Sequence, residues 1–243
     1  MRFLITAGPT REYLDDVRFL TNASSGRMGY ALARAALVAG YQVTLVSGPV
    51  ALAPPAGCDF VPVRTTQELL EACERVWPEC TGVIGAAAVC DYRPKMRATG
   101  KMKKTGGPLL LELIETPDVL AELSRQKETR FVVGFALESQ DARENALRKL
   151  RGKRCDAIVL NSPTAIDADE NTIELIDRHG VTAGEWSGSK SDIANRLIAW
   201  ISKNLIGPAS DERQIGGNRD IVPEPRPSGS GHQRPLHDGR GSG

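Results

Sequence analysis

Short, almost wholly apolar runs alternate along this chain with stretches whose apolar residues recur at helical spacing. Arg2–Thr6, Tyr41–Ser47, Gly82–Val89, Leu109–Ile114, Phe131–Ala136 and Cys155–Asn161 are of the first kind. Ser25–Ala39, Asp141–Lys153 and Asp192–Leu205 are of the second. A strand that is apolar on both faces needs cover on both sides, which parallel sheets obtain from crossover helices. The alternation therefore predicts an α/β chain: three layers, with a mostly parallel sheet in the middle. Val61 and Val63 mark a further short strand. Thr172–Asp177 and Val181–Trp186, joined through Arg178-His179-Gly180, read as a hairpin before the last helix.

Helix ends are legible too. Ser24 or Ser25 caps the first helix, and Gly40 stops it. Thr65-x-x-Glu68 is a capping box opening a helix that runs to about Val76. Thr116-Pro117-Asp118 opens another, with proline at the first helical position. Ser191 caps the last. Arg11–Leu20 reads as a mixed loop. Asp91–Gly107 is long, basic and glycine-bearing, the kind of loop that in a compact domain is functional or disordered.

The formal net charge of +1 gives no global reason to bind nucleic acid or a membrane surface. No apolar run is long enough to span a bilayer, and Met1-Arg2-Phe3-Leu4-Ile5 is too short for a signal peptide. The five cysteines are scattered, which reads as free thiols in a reducing cytoplasm. Of three histidines only His179 falls within the expected fold. A Ser-His-Asp hydrolase or a His-rich zinc site is thereby disfavoured, and chemistry must rest on lysine, amide, carboxylate and backbone groups. From about Gly207 the composition turns rich in Gly and Pro and poor in apolar residues. The domain expected is thus 1–206, followed by a disordered tail, 207–243.

Three stretches could carry chemistry. Thr21–Gly29 follows a strand and loop and opens a helix, whose N–H groups and partial positive charge suit a phosphate. It is neither a Walker A loop nor a dinucleotide fingerprint. The alternative is a capped helix with Gly26 and Gly29 at a tight packing point. Lys101-Met102-Lys103-Lys104, flanked by glycines, is a positive patch on a loop, either for phosphate or merely solvated. Ala86–Arg93 places small residues at a strand end, where the backbone N–H and C=O could read a flat ligand and Asp91 could accept from an amine or hydroxyl. Its plain reading is packing under a helix, with Asp91 and Asp118 as caps. Phe135, Lys149 and Lys153 are ambiguous alone.

Taken in order and at their spacing, Thr6–Glu12, Asn22–Gly29, Ala87–Arg93, Lys101–Lys104 and Val133–Glu138 resemble phosphopantothenoylcysteine synthetase, over about Met1 to Leu205. In many bacteria that enzyme is the C-terminal half of a fusion with a flavin-dependent decarboxylase. The resemblance implies a Rossmann-like fold and a cytoplasmic ligase. That ligase would join 4′-phosphopantothenate and L-cysteine through an acyl-cytidylate, using CTP and Mg²⁺, with ATP the less favoured nucleotide. It implies that Asn22 orients the acyl-nucleotide and Lys101 stabilises phosphate charge. It also implies that Ala87, Ala88, Asp91, Lys101, Pro117, Asp118, Val119, Leu120, Phe135, Lys149 and Lys153 line a nucleotide site, with Ser24, Gly26 and Gly29 on the substrate phosphate. Asn161 is a weaker match, and no metal ligand is identified. The resemblance further implies a homodimer and a separate phosphopantothenoylcysteine decarboxylase. Glu12-Tyr13 departs from the family's Glu-Pro, which would loosen the first loop.

Two rivals remain. An NAD(P)-dependent oxidoreductase would need a G-x-G-x-x-G turn where Ala7-Gly8-Pro9-Thr10 stands. A non-catalytic nucleotide- or flavin-binding module needs less.

Overall fold

The computed structural model describes residues 1–138, 140–161 and 170–207. The expected tail therefore lies, from residue 208 onward, outside the described residues. Among the described residues, twelve strands and five α-helices follow one another. The strands are β1 (Arg2–Ala7), β2 (Arg11–Tyr13), β3 (Phe19–Thr21), β4 (Gln42–Ser47), β5 (Asp59–Pro62), β6 (Gly82–Gly85), β7 (Tyr92–Pro94), β8 (Leu113–Glu115), β9 (Phe131–Leu137), β10 (Ala157–Asn161), β11 (Glu170–Asp177) and β12 (Thr182–Ser189). The helices are α1 (Arg27–Val38), α2 (Thr66–Val76), α3 (Val119–Arg125), α4 (Ala142–Gly152) and α5 (Lys190–Ile201).

Eight strands form one sheet in the order β12-β11-β10-β9-β6-β1-β4-β5. The six from β10 to β5 are parallel, and β11 and β12 add an antiparallel hairpin. This is the α/β architecture with a mostly parallel sheet that the alternation predicts, ending in the expected hairpin and helix, and it is Rossmann-like as the resemblance implies. Side chains alternate across the sheet. Phe3, Ile5 and Ala7 pack with α1 and α5, while Leu4 packs with α2 and α3 on the opposite face. Chain order reverses at β1, with β4 on one side and β6 on the other. At such a switch point, outside the carboxyl ends of the strands, α/β sheets place ligands.

Several local expectations are corrected. The run Gly82–Val89 leaves the main sheet after Gly85 and returns only as a bridge between Ala88 and Pro9. Leu109–Ile114 contributes only its end to β8, which pairs antiparallel with β7 inside the expected basic loop. Arg11–Leu20 holds a hairpin, β2–β3. Neither Ser24 nor Ser25 caps α1: Gly26 does, at φ 74°, without a side-chain bond. Pro117 stands one residue outside α3, whose cap is Asp118. Ser189, not Ser191, caps α5, accepting from the Asp192 N–H at 3.1 Å. No helix among the described residues is long and apolar enough to cross a membrane.

Candidate functional site

Two cavities adjoin at the carboxyl ends of β1, β6 and β9. The larger encloses about 610 Å³ and the smaller about 190 Å³. Both are lined by Ala23, Ala87, Ala88, Phe135 and Leu137, so they form one groove. The larger end gathers Asn22, Ala87, Ala88, Asp91, Pro117, Asp118, Val119, Leu120, Phe135, Lys149 and Lys153. Ser24, Gly26 and Gly29 line the smaller. One assigned residue stays apart: Lys101 is exposed and lines neither cavity.

The backbone around Ala86–Val89 is engaged internally. The Ala87 N–H donates to Thr6 Oγ1 at 3.2 Å and the Ala88 N–H to the Gly8 carbonyl at 2.9 Å. The Ala88 carbonyl accepts from the Thr10 N–H at 3.2 Å. These groups are therefore spent on holding the strand extension against the Gly8–Thr10 turn rather than on reading a ligand edge. Asn22 pins the same segment, its Nδ2 donating to the carbonyls of Ala88 at 3.2 Å and Val89 at 2.8 Å. Its Oδ1 takes no part in these two bonds, and it is the end of the amide left for a ligand.

Charge at the larger end is paired across elements. Lys149 on α4 meets Glu138 at 2.7 Å, and Lys153 meets Asp118 at 3.0 Å while Asp118 also accepts from the Ala121 N–H. Asp91 and Glu115 add two more carboxylates. Cys90 lies beneath, its thiol pushed up by burial, which suits packing better than nucleophilic attack. Among the described residues no three His, Cys, Asp or Glu side chains converge as a metal site.

The glycines of α1 have packing reasons. A Cβ on Gly29 would lie 2.5 Å from the Ala7 Cβ, and Gly26 carries a left-handed φ of 74°. Tyr13, the departure from the family's proline, stacks edge-on against Phe19 and lies under the Arg97 guanidinium at 5.0 Å. The loop that was expected to be looser is held. Asp15, fully buried, accepts from the N–H groups of Val17, Arg18 and Met102 and from the Arg18 guanidinium. Burial alone would raise its pKa. The Arg18 guanidinium and the backbone N–H groups outweigh that and hold the carboxyl well below the usual range. Asp16 accepts from the Gly100 N–H and pairs with Arg97, so the segment bearing Lys101 is clasped to the β2–β3 turn.

Sequence reasoning missed Thr6, Glu115, Asn171 and Lys190, all of which line the groove. Asn171 and Lys190 arrive from the C-terminal hairpin and from α5, with no local motif to announce them.

Fold and groove together define a Rossmann-like ligand-binding domain whose site straddles a switch point. Residues 1–205 match the family described as the DNA/pantothenate metabolism flavoprotein C-terminal domain, and the chain belongs to that family. It is 45% identical over 204 residues to the coenzyme A biosynthesis bifunctional protein CoaBC of Bacillus subtilis, covering 82% of this chain and 50% of that protein. A cysteine/cysteine sulfinic acid decarboxylase from an unknown prokaryotic organism is 44% identical over 183 residues, 73% of this chain and 51% of its own length. The solved C-terminal domain of a coenzyme A biosynthesis bifunctional protein CoaBC superposes with a TM-score of 0.72 at 37% identity, covering 85% of this chain and 96% of that one. The chain spans about half the length of the curated relatives it matches.

These relatives correct what the resemblance implied. The family is described as a flavoprotein's domain and one relative as a decarboxylase. The assignment to a CTP- and Mg²⁺-dependent synthetase joining 4′-phosphopantothenate and L-cysteine is withdrawn on that ground. So is the homodimer drawn from the same resemblance. The separate decarboxylase gives way to relatives that are bifunctional in one chain. Because those relatives are twice as long, their names do not say which half holds a flavin.

The donor set of the groove bears on that point. Three fused flavin rings call for a slot with broad apolar faces and a few placed polar groups. Here Phe135 lines both cavities and Tyr92 the larger, which is edged by Asp91, Glu115, Asp118, Lys149 and Lys153. Laying an uncharged ring system over those charged side chains would strip them of water without replacing it. The residues present do not fit a flavin.

Proposed function

We propose that this chain is a catalytic domain of coenzyme A biosynthesis whose groove holds phosphopantothenoylcysteine. Its phosphate lies in the smaller cavity at the start of α1 and its cysteinyl end points toward the larger. The observation that carries the reading is the continuity of the two cavities, with a helix N-terminus at one end and Lys149 and Lys153 at the other. Ser24, Gly26 and Gly29 receive the phosphate on backbone and hydroxyl donors. Asn22, held by two carbonyls, offers Oδ1 to the amide portion of the ligand. The pathway in the relatives' names supplies the pantothenate chemistry, and this chain supplies one of the two activities of such bifunctional proteins.

Calorimetric titration of the purified chain with phosphopantothenoylcysteine tests the reading; saturable binding weakened by Asn22→Ala supports it, and no binding overturns it. Release of CO₂ from that compound on adding a flavin would assign a decarboxylation, the reaction for which one relative is named. Binding without CO₂ release would limit the reading to ligand binding.

A further inference from the structure

The two ends of the groove differ in charge. The larger cavity mixes three carboxylates with two lysines. Among the described residues the smaller is lined by Arg27 and Lys190 and by no carboxylate at all. Lys190 is also in an odd place for helix stability. It is the first residue of α5, where the helix dipole favours an acidic side chain and disfavours a cation. Asp192, in the same turn, answers the dipole but turns its carboxylate to Ser189 Oγ at 2.7 Å. The lysine instead runs toward β11, its Nζ 3.5 Å from Oδ1 of Asn171, a side chain that is 4% exposed. Asn161, at the end of β10, lines the same space.

Resting on the proposed groove occupancy, we infer that Lys190, steadied by Asn171, is the residue that selects a phosphorylated ligand over its unphosphorylated counterpart. A point charge on a flexible stem suits a phosphate, and Lys190 lines the same cavity as the α1 N-terminus. A cavity of about 190 Å³ holds one such group with a few waters. Neither Lys190 nor Asn171 belongs to any motif of the first half of the chain.

The test compares wild type, Lys190→Met and Lys190→Arg for binding of phosphopantothenoylcysteine and of dephosphorylated pantothenoylcysteine. A charge-assisted contact of this kind predicts that Lys190→Met loses about tenfold or more of the preference for the phosphorylated ligand. Affinity for the dephosphorylated ligand should stay the same, and Lys190→Arg should keep most of the preference. An unchanged preference in Lys190→Met, or an equal loss for both ligands, overturns the inference. Stabilisation by inorganic phosphate, followed as a melting shift, separates this from the groove reading. If neither pantothenoyl compound binds wild type, the groove reading falls. A phosphate shift lost in Lys190→Met would still support the anion role, and an equal shift in both proteins would overturn it.

Discussion

Gly29→Ala separates two uses of one glycine. Its ideal Cβ would stand 2.5 Å from the Ala7 Cβ and 3.1 Å from both the Ala7 Cα and the Thr6 carbonyl oxygen. Those atoms belong to β1, a strand paired on both sides, and cannot swing aside. Overpacking of this kind costs about 1–3 kcal/mol, and the rigidity of the neighbours argues for the upper part of that range. Replacing glycine by alanine inside a helix returns about 1 kcal/mol. The net expectation is a loss of roughly 1–2 kcal/mol, or about 2–8 °C in melting temperature for a domain of this size. Urea unfolding should show a lower midpoint at unchanged slope. Ala7→Gly removes the opposing methyl, so the double variant should recover stability, with a coupling of about 1–2 kcal/mol. If Gly29 is there only to let a ligand approach, helix propensity wins: Gly29→Ala would then raise the midpoint without ligand while abolishing binding. A raised midpoint would refute the packing argument.

Asp15→Asn should release the clasped segment, seen as faster tryptic cleavage after Lys101, Lys103 and Lys104, because Met102 and Arg18 lose their charged acceptor. Since the folded Asp15 pKa is depressed, its stabilisation is present above its unfolded value of about 4 and is lost as pH falls through the folded value. The stability difference between wild type and Asp15→Asn should therefore be flat from about pH 8 to 4 and shrink only below that; a difference that fades between about pH 7 and 5 would contradict this. Asn22→Asp should lower the melting temperature, because a carboxylate would face the Ala88 and Val89 carbonyls that now accept from the amide. In the folded protein a thiol reagent at about pH 8 should modify Cys58 first, since the thiolate is the reacting form and Cys58 is the least buried of the five. Burial holds Cys73 well above the ordinary range, Cys80 at about 11 and Cys155 at about 12, so fast labelling of any of these would show the core to be open.

Much of the sheet was readable because its physics is local. Strands such as Phe131–Leu137 are apolar on both faces, and half of the capping box at Thr65 forms, with the Glu68 N–H donating to Thr65 Oγ1 at 3.2 Å while the Glu68 carboxylate accepts from the Arg64 N–H at 2.7 Å instead of that of Thr65. What failed was decided by distant partners. Nothing in Gly82–Val89 marks where β6 ends; that is set by Thr6 Oγ1 and the Gly8 carbonyl taking its next N–H groups. The three-residue strands β7 and β8 are too short and polar to show periodicity and exist by pairing across a long excursion. The sequence does not show that Gly29 also packs against Ala7 of β1, or that Gly26 holds a left-handed cap, because both depend on the fold around them. The first-half residues of the groove were legible because one loop and one strand end carry most of them. Lys190 and Asn171 were not, since only the antiparallel hairpin brings them back to α1.

The unequal charge of the groove favours one direction for the proposed ligand. In the orientation proposed, the phosphate faces Arg27, Lys190 and the α1 N-terminus, and the cysteinyl carboxylate has Lys149 and Lys153 within its end of the groove. Reversed, the phosphate would meet Asp91, Glu115 and Asp118, while the carboxylate would occupy the smaller, cationic cavity. Each like-charge contact near 4 Å costs on the order of 1–4 kcal/mol between bulk water and a protein surface. Lys149 and Lys153 cannot cancel all of this, because each is already committed to a carboxylate of its own. In the proposed complex the end that mixes both signs would then serve the weakly charged part of the ligand, and the end lined by Arg27 and Lys190 the strongly charged part. That polarity is set by α4 and α5, two helices on opposite faces of the sheet, so the site exists only in the folded domain.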